Sequence, residues 1–174
     1  MKRTSMEILM IAGLSAALLT TAVQAEETMP MMDLQLGASS LAMVVPDSFV
    51  EGDKTDEDVE DGLVAYYYSD ETLVDFDVYQ WAKASEETLM DAVSEETAEF
   101  NNAEIHEKQV DGIDLVYYYA NEEYDGTFYD TVTYIAEDGD YFIEIVFWLD
   151  GENAEVEADE IIGSLHRMKK YSRR

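Results

Sequence analysis

The chain has 174 residues, with 40 Asp and Glu against 10 Lys and Arg, a net charge of −30 and no cysteine. Phosphate binding needs a basic face, so direct binding of nucleic acid is excluded. A disulfide framework, a zinc–cysteine site and thiol chemistry fall with the missing cysteines. High charge alone would predict disorder, but 47% of the residues are hydrophobic, and 12 Tyr, 6 Phe and 2 Trp supply apolar area for a core.

The N-terminus reads as an address. Lys2 and Arg3 precede an apolar run from Ile8 to Leu19, then Ala22-Val23-Gln24-Ala25 before Glu26. A positive start, a short apolar centre and small residues at the cleavage point make 1–25 a secretory signal peptide. The run is too short for the roughly 20 residues that span a bilayer. No cysteine follows it, so lipoprotein attachment is excluded. The expectation is an exported bacterial protein, extracellular or periplasmic, with no membrane span after cleavage. Residues 26–33 would be a flexible lead-in, 34–166 the folded domain and 167–174 a basic tail. The span 26–166 has only Lys54, Lys83 and Lys108 as Lys or Arg and carries about −36. Arg167, Lys169, Lys170, Arg173 and Arg174 then give the tail about +5.

Along the domain, Leu41–Val45 is a short strand stopped by Pro46, which cannot continue a ladder. Glu51–Asp61 is nearly all acid and reads as a solvated loop. Leu63–Tyr68 and Leu73–Trp81 flank the polar turn Ser69-Asp70-Glu71-Thr72, with Val74, Phe76 and Val78 on one face and Asp75, Asp77 and Tyr79 on the other. Ser85 caps a helix with Leu89, Met90, Val93, Thr97 and Phe100 on one side. Asp111-Gly112, Asp125-Gly126 and Asp138-Gly139 are type I′ hairpin signals between apolar runs, so four strands form a meander. The last run, Asp140–Leu149, is apolar on both faces and reads as a central strand covered on both sides. Asn153 caps a final helix with Ala158, Ile161, Ile162 and Leu165 at helical spacing and His166 at its end.

The order of these elements carries a resemblance. Val44-Val45-Pro46-Asp47-Ser48-Phe49 comes first, then a hairpin, an acid-capped helix, a long meander and a final Ile161-Ile162-Gly163-Ser164-Leu165 helix. Over residues 34–166 this resembles the PsbP-like fold of the photosystem II extrinsic subunit, the Ran guanine-nucleotide release factor and exported bacterial proteins of unknown role. The resemblance implies an α+β domain: an antiparallel meander sheet of six to seven strands with helices packed on both faces. It implies docking roles and no shared catalytic residues.

No catalytic motif is present, and no enzyme is expected. Asp75 and Asp77, with Asp114 and Asp130, are strand acids that read as an outward, solvated face; Asp130 shares its side with Phe128, Val132 and Tyr134. Asp56, Asp58 and Glu60 begin an EF-hand-like run, but Asp61 stands where the sixth-position Gly belongs and Tyr67 where the twelfth-position Glu does. Weak calcium binding is the most these residues support; no other cofactor is implied. Tyr66-Tyr67-Tyr68 and Tyr117-Tyr118-Tyr119 are assigned to the core rather than to a ligand platform. The basic tail is a possible partner surface, for an anionic partner or for a second copy in a weak dimer. The leading expectation is a non-catalytic module that docks a protein or envelope partner. A carboxylate-based extracellular hydrolase is the alternative, and a charge serving only solubility is the third reading.

Overall fold

The computed structural model describes residues 29–100, 103–124 and 126–169, so the expected signal peptide 1–25, Lys170, Arg173 and Arg174 lie outside the described residues. Among the described residues, the expected single sheet of six to seven strands is instead ten strands in two antiparallel sheets, the larger with seven. The large sheet contains β3 (Val50–Glu51), β4 (Leu63–Tyr68), β5 (Val74–Ala82), β6 (His106–Val110), β7 (Ile113–Tyr124), β8 (Thr127–Asp138) and β9 (Tyr141–Leu149). Its order is β3-β4-β5-β9-β8-β7-β6, which leaves the two-residue β3 and the five-residue β6 as edges. The small sheet has β2 (Leu41–Pro46) between β1 (Met31–Gln35) and β10 (His166–Arg167). The first of these begins inside the expected flexible lead-in, because Met31 and Met32 pair with Pro46 and Val45.

Turn chemistry sets the meander. Asp111 and Gly112 both have positive φ, 47° and 75°, as a type I′ turn requires. The last turn of the meander differs from expectation by one residue. Asp138 pairs with Tyr141, so Gly139-Asp140 is the two-residue loop, and Gly139 alone has positive φ. That is the type II′ pattern, with glycine first.

The helices among the described residues also differ from expectation. α1 (Asp56–Glu60) replaces part of the expected acidic loop. Thr55 caps it, accepting from the Asp58 N–H while Asp58 accepts from Thr55, and three acids sit at its positive end. α2 (Leu89–Glu99) starts at a Thr88–Asp91 capping box rather than at Ser85, and buries Ala92, Val93 and Thr97. α3 (Ala154–Ile162) begins at Asn153, but this residue caps by backbone conformation, with φ 75° and no side-chain cap bond. It ends at Gly163, so His166 lies in β10 rather than at a helix end.

Strand alternation divides the core. Ile143, Ile145 and Phe147 of β9 pack with Phe76 and Val78 of β5, with α3 and with Leu41, Met43 and Val45 of β2. Phe76 contacts the rings of Phe49, Tyr67 and Phe147 at 5.1, 5.0 and 5.5 Å. The intervening residue Phe142 packs on the opposite side, with Val116, Tyr118 and Ile135, under Ala92 and Val93 of α2. A polar clasp ties the two sheets together: Asp138 accepts from Ser40 Oγ at 2.7 Å and from the Arg167 guanidinium. Burial works against the Asp138 carboxylate, but the Ser40 and Arg167 donors outweigh it and hold its pKa below the usual range.

Because Phe76 is fully buried among three rings, Phe76→Ala is expected to cost about 3–5 kcal/mol of stability. Urea denaturation measures it. A cost below about 1 kcal/mol would contradict this assignment of the core.

Candidate functional site

The α2 side of the large sheet is where chemistry accumulates, and strand register builds it row by row. Tyr66, Asp77, Val146, Thr133 and Tyr118 align across β4, β5, β9, β8 and β7. The next row toward the β5 start holds Asp75, Trp148, Thr131 and Ala120. The row on the other side holds Tyr79, Glu144, Ile135 and Val116. Side chains two apart on a strand share a face, so all three rows open on the same side.

α2 packs at the Phe142 end of this side. Beyond it lie two adjoining hollows, of about 530 and 500 Å³, which share Tyr79, Glu122 and Trp148. Trp148 stands between them. Tyr124 and Tyr129 meet its ring edge-to-face at 6.1 and 6.0 Å, and its Nε1 donates to Asp77 Oδ2 at 2.8 Å. Tyr66 stacks on Tyr68 at 5.7 Å. Every charged side chain lining either hollow is a carboxylate.

Two of those acids are inside the protein. Asp77 and Glu144 are each 9% exposed. Burial pushes the Asp77 carboxyl up to about 6, against the lowering effect of the Trp148 donor, and Glu122 and Asp75 add to the rise. Burial pushes Glu144 higher, to about 8, reinforced by Glu96, Glu122 and Asp77. The Glu144 carboxyl has no hydrogen-bond partner among the described residues. Glu122 is better satisfied, accepting from Thr131 Oγ1 at 2.7 Å. Asp75 accepts from the Ser69 N–H at 3.2 Å, yet burial still raises its pKa. Tyr66 is pushed up to about 12, by burial first and then by Asp75 and Asp77.

The expected solvated face is therefore corrected at Asp77. Its strand lies next to the central strand β9, and Trp148 of that strand donates to the carboxylate. Asp114 and Asp130 are exposed, and accept from Gln109 and Asn121 respectively. The tyrosine triplets do not form a continuous block of core either. The pleat buries Tyr67 and Tyr118, leaves Tyr68 and Tyr119 40% exposed, and directs Tyr66 into a hollow. The calcium candidates Asp56, Asp58 and Glu60 sit on α1, where Asp58 accepts from the Thr55 N–H at 2.6 Å. Among the described residues no group of three His, Asp or Glu is arranged to hold a metal ion.

Of the tail residues, Arg167 is engaged in the Asp138 clasp and Lys169 is exposed. Glu144, Glu122 and Trp148 were missed as site residues. The available signal was a lone acid, Glu144, inside the apolar run Tyr141–Leu149. The histidines lie elsewhere: His106 stacks on Tyr117 at 5.0 Å, and His166 meets Asp33 at 3.3 Å.

Comparison with solved structures places this architecture. The solution structure of cyanobacterial PsbP (CyanoP) from Synechocystis superposes with a TM-score of 0.61 at 9% identity, covering 83% of this chain and 96% of that one. The fold is PsbP-like. A crystal structure from Bacteroides thetaiotaomicron matches with a TM-score of 0.53 at 21% identity, over 75% of this chain and 46% of that one. LpqN of Mycobacterium tuberculosis, involved in cell envelope biogenesis, matches with a TM-score of 0.50 at 6% identity, over 80% and 91%. No family model matches the sequence, and no curated protein does. The PsbP-like likeness is thus carried by backbone path rather than by shared residues. Among the described residues no helix is long and apolar enough to cross a membrane.

The buried acids make stability fall with rising pH. Unfolded, both carboxyls titrate near the ordinary value of about 4; folded, they hold protons to about 6 and 8. The native state then binds more protons than the unfolded state across this window, so its stability drops as pH climbs from about 4 to 8. Tyr79, Tyr118, Glu96, Glu122 and Asp77 face Glu144, and none supplies a positive charge. Glu144→Gln is expected to flatten the fall above pH 6 and to make the protein more stable than wild type at pH 8. Urea midpoints at pH 5, 6.5 and 8 for both proteins measure it; parallel curves would sink the assignment.

Proposed function

We propose that the chain is an exported, non-catalytic binding module that takes its partner in the open trough on the α2 side of its PsbP-like sheet. One observation carries this reading: two hollows adjoin at Trp148, one lined by Tyr66, Tyr124, Tyr129 and the buried Asp77, the other by the buried Glu144. Rigid aromatic rings supply contact area at little entropic cost, and desolvated polar groups supply selectivity. The N-terminal signal pattern supports export, and the envelope role of LpqN points to the same compartment. The partner is accordingly a component of the cell envelope or its surroundings.

Retention on immobilised protein tests the reading. A ligand from envelope extract or culture fluid is expected to be held by wild type, to be lost with Trp148→Ala, and to remain with Tyr141→Ala at the opposite end of β9. Equal retention by all three proteins would place the partner elsewhere. Turnover of a retained glycan that disappears in Glu144→Gln would convert the module into a hydrolase and end the non-catalytic reading.

A further inference from the structure

Resting on the trough as the binding surface, the chemistry of its walls narrows what enters. Every charged group lining the two hollows is negative, and among the described residues no Lys, Arg or His lines them. Elsewhere among the described residues, Lys54 pairs with Glu51, Lys83 with Glu137, Lys108 with Asp159 and Arg167 with Asp138. Within the trough, Glu144 is more than nine-tenths buried and directed at the hollow it lines, with no donor for its carboxyl among the described residues. An ionised group so placed is costly unless something brings a compensating charge and hydrogen bonds.

Three kinds of occupant compete. A small inorganic dication needs several oxygens converging at about 2.0–2.6 Å. The trough acids are spread along the sheet, and no such convergence exists among the described residues. A neutral sugar would stack on Trp148 but would leave the uniform negative field uncompensated. An organic cation meets both features: its ammonium groups answer dispersed carboxylates, and its low charge density suits aromatic faces through cation–π attraction. The hollows adjoin through Tyr79, Glu122 and Trp148, so an elongated molecule spans both. One cationic end lies near Glu144 and Glu122, and the other near Asp75 and Asp77.

We infer that the trough binds an elongated aliphatic amine with two or more ammonium groups, held between Glu144 and Asp77 across the Trp148 ring. Alkylammonium chemistry has two sources, a free polyamine and the lysine side chains of a peptide, and the inference commits to the free polyamine.

Isothermal titration and tryptophan fluorescence with spermidine, at matched ionic strength, test it on the mature chain. The expected result is saturable 1:1 binding with a change in Trp148 emission, weakened at least tenfold in Asp77→Asn/Glu144→Gln. The control Glu107→Gln/Asp111→Asn removes the same number of carboxyl groups at the β6 edge and is expected to stay within twofold of wild type. Thermal unfolding confirms that each variant is folded. Equal weakening in both double variants would reduce the effect to counterion attraction by an acidic body and overturn the inference. Tighter binding of magnesium, of trehalose or of a capped trilysine peptide than of spermidine would overturn it too. Absence of spermidine binding while retention of an envelope ligand still depends on Trp148 would refute the amine alone. Loss of that dependence would refute the trough itself.

Discussion

The central position of β9 is the constraint on which the rest of the molecule depends. Flanked by β5 and β8 over its full length, this strand contributes Ile143, Ile145 and Phe147 to one side and Phe142, Glu144, Val146 and Trp148 to the other. A period of two leaves no freedom in this division, and a slip of one residue would exchange every side chain between faces. The first set is satisfied by α3 and the small sheet. The second set is capped by α2 only near Phe142, and that partial cover turns half of a sheet face into a trough.

Much of the architecture was legible because it follows from turn chemistry and periodicity. Asp111-Gly112 identified a hairpin whose two positive φ angles the structure contains, and Ala158, Ile161 and Ile162 gave the buried side of α3. What was not legible depended on long-range pairing. The small sheet joins Met31–Gln35 and His166–Arg167 through β2, a contact between chain ends that no local pattern announces. Thr88 prevailed over Ser85 as a cap because Asp91 completes its box. The site was the least visible part. An alternating strand with Asp75 and Asp77 on one side looks solvent-facing until neighbouring strands are placed, and only the β5–β9 register brings Trp148 over Asp77.

The charge acquires a location as a result. Part of the acidic excess serves helix starts, as at Thr55–Asp58 and Thr88–Asp91. Another part lines a concave surface where burial raises carboxyl pKa values instead of letting water stabilise the charge. These populations have opposite effects. Capping acids favour the folded state, whereas Asp77 and Glu144 cost stability near neutral pH, a pattern associated with sites held for binding rather than for folding. The PsbP-like backbone tolerates this because its other face carries the continuous apolar core.

The narrowness of the sheet edges has a consequence for how the folded protein meets other chains. One border is the two-residue β3, and the other is the short β6, with Glu107 and the ion-paired Lys108 on it. Neither offers a long, flat, apolar rim onto which a foreign strand could zip. Seven strands rich in tyrosine, phenylalanine and valine would otherwise be a template for fibre growth, so the same borders that end the sheet also guard it against ordered aggregation.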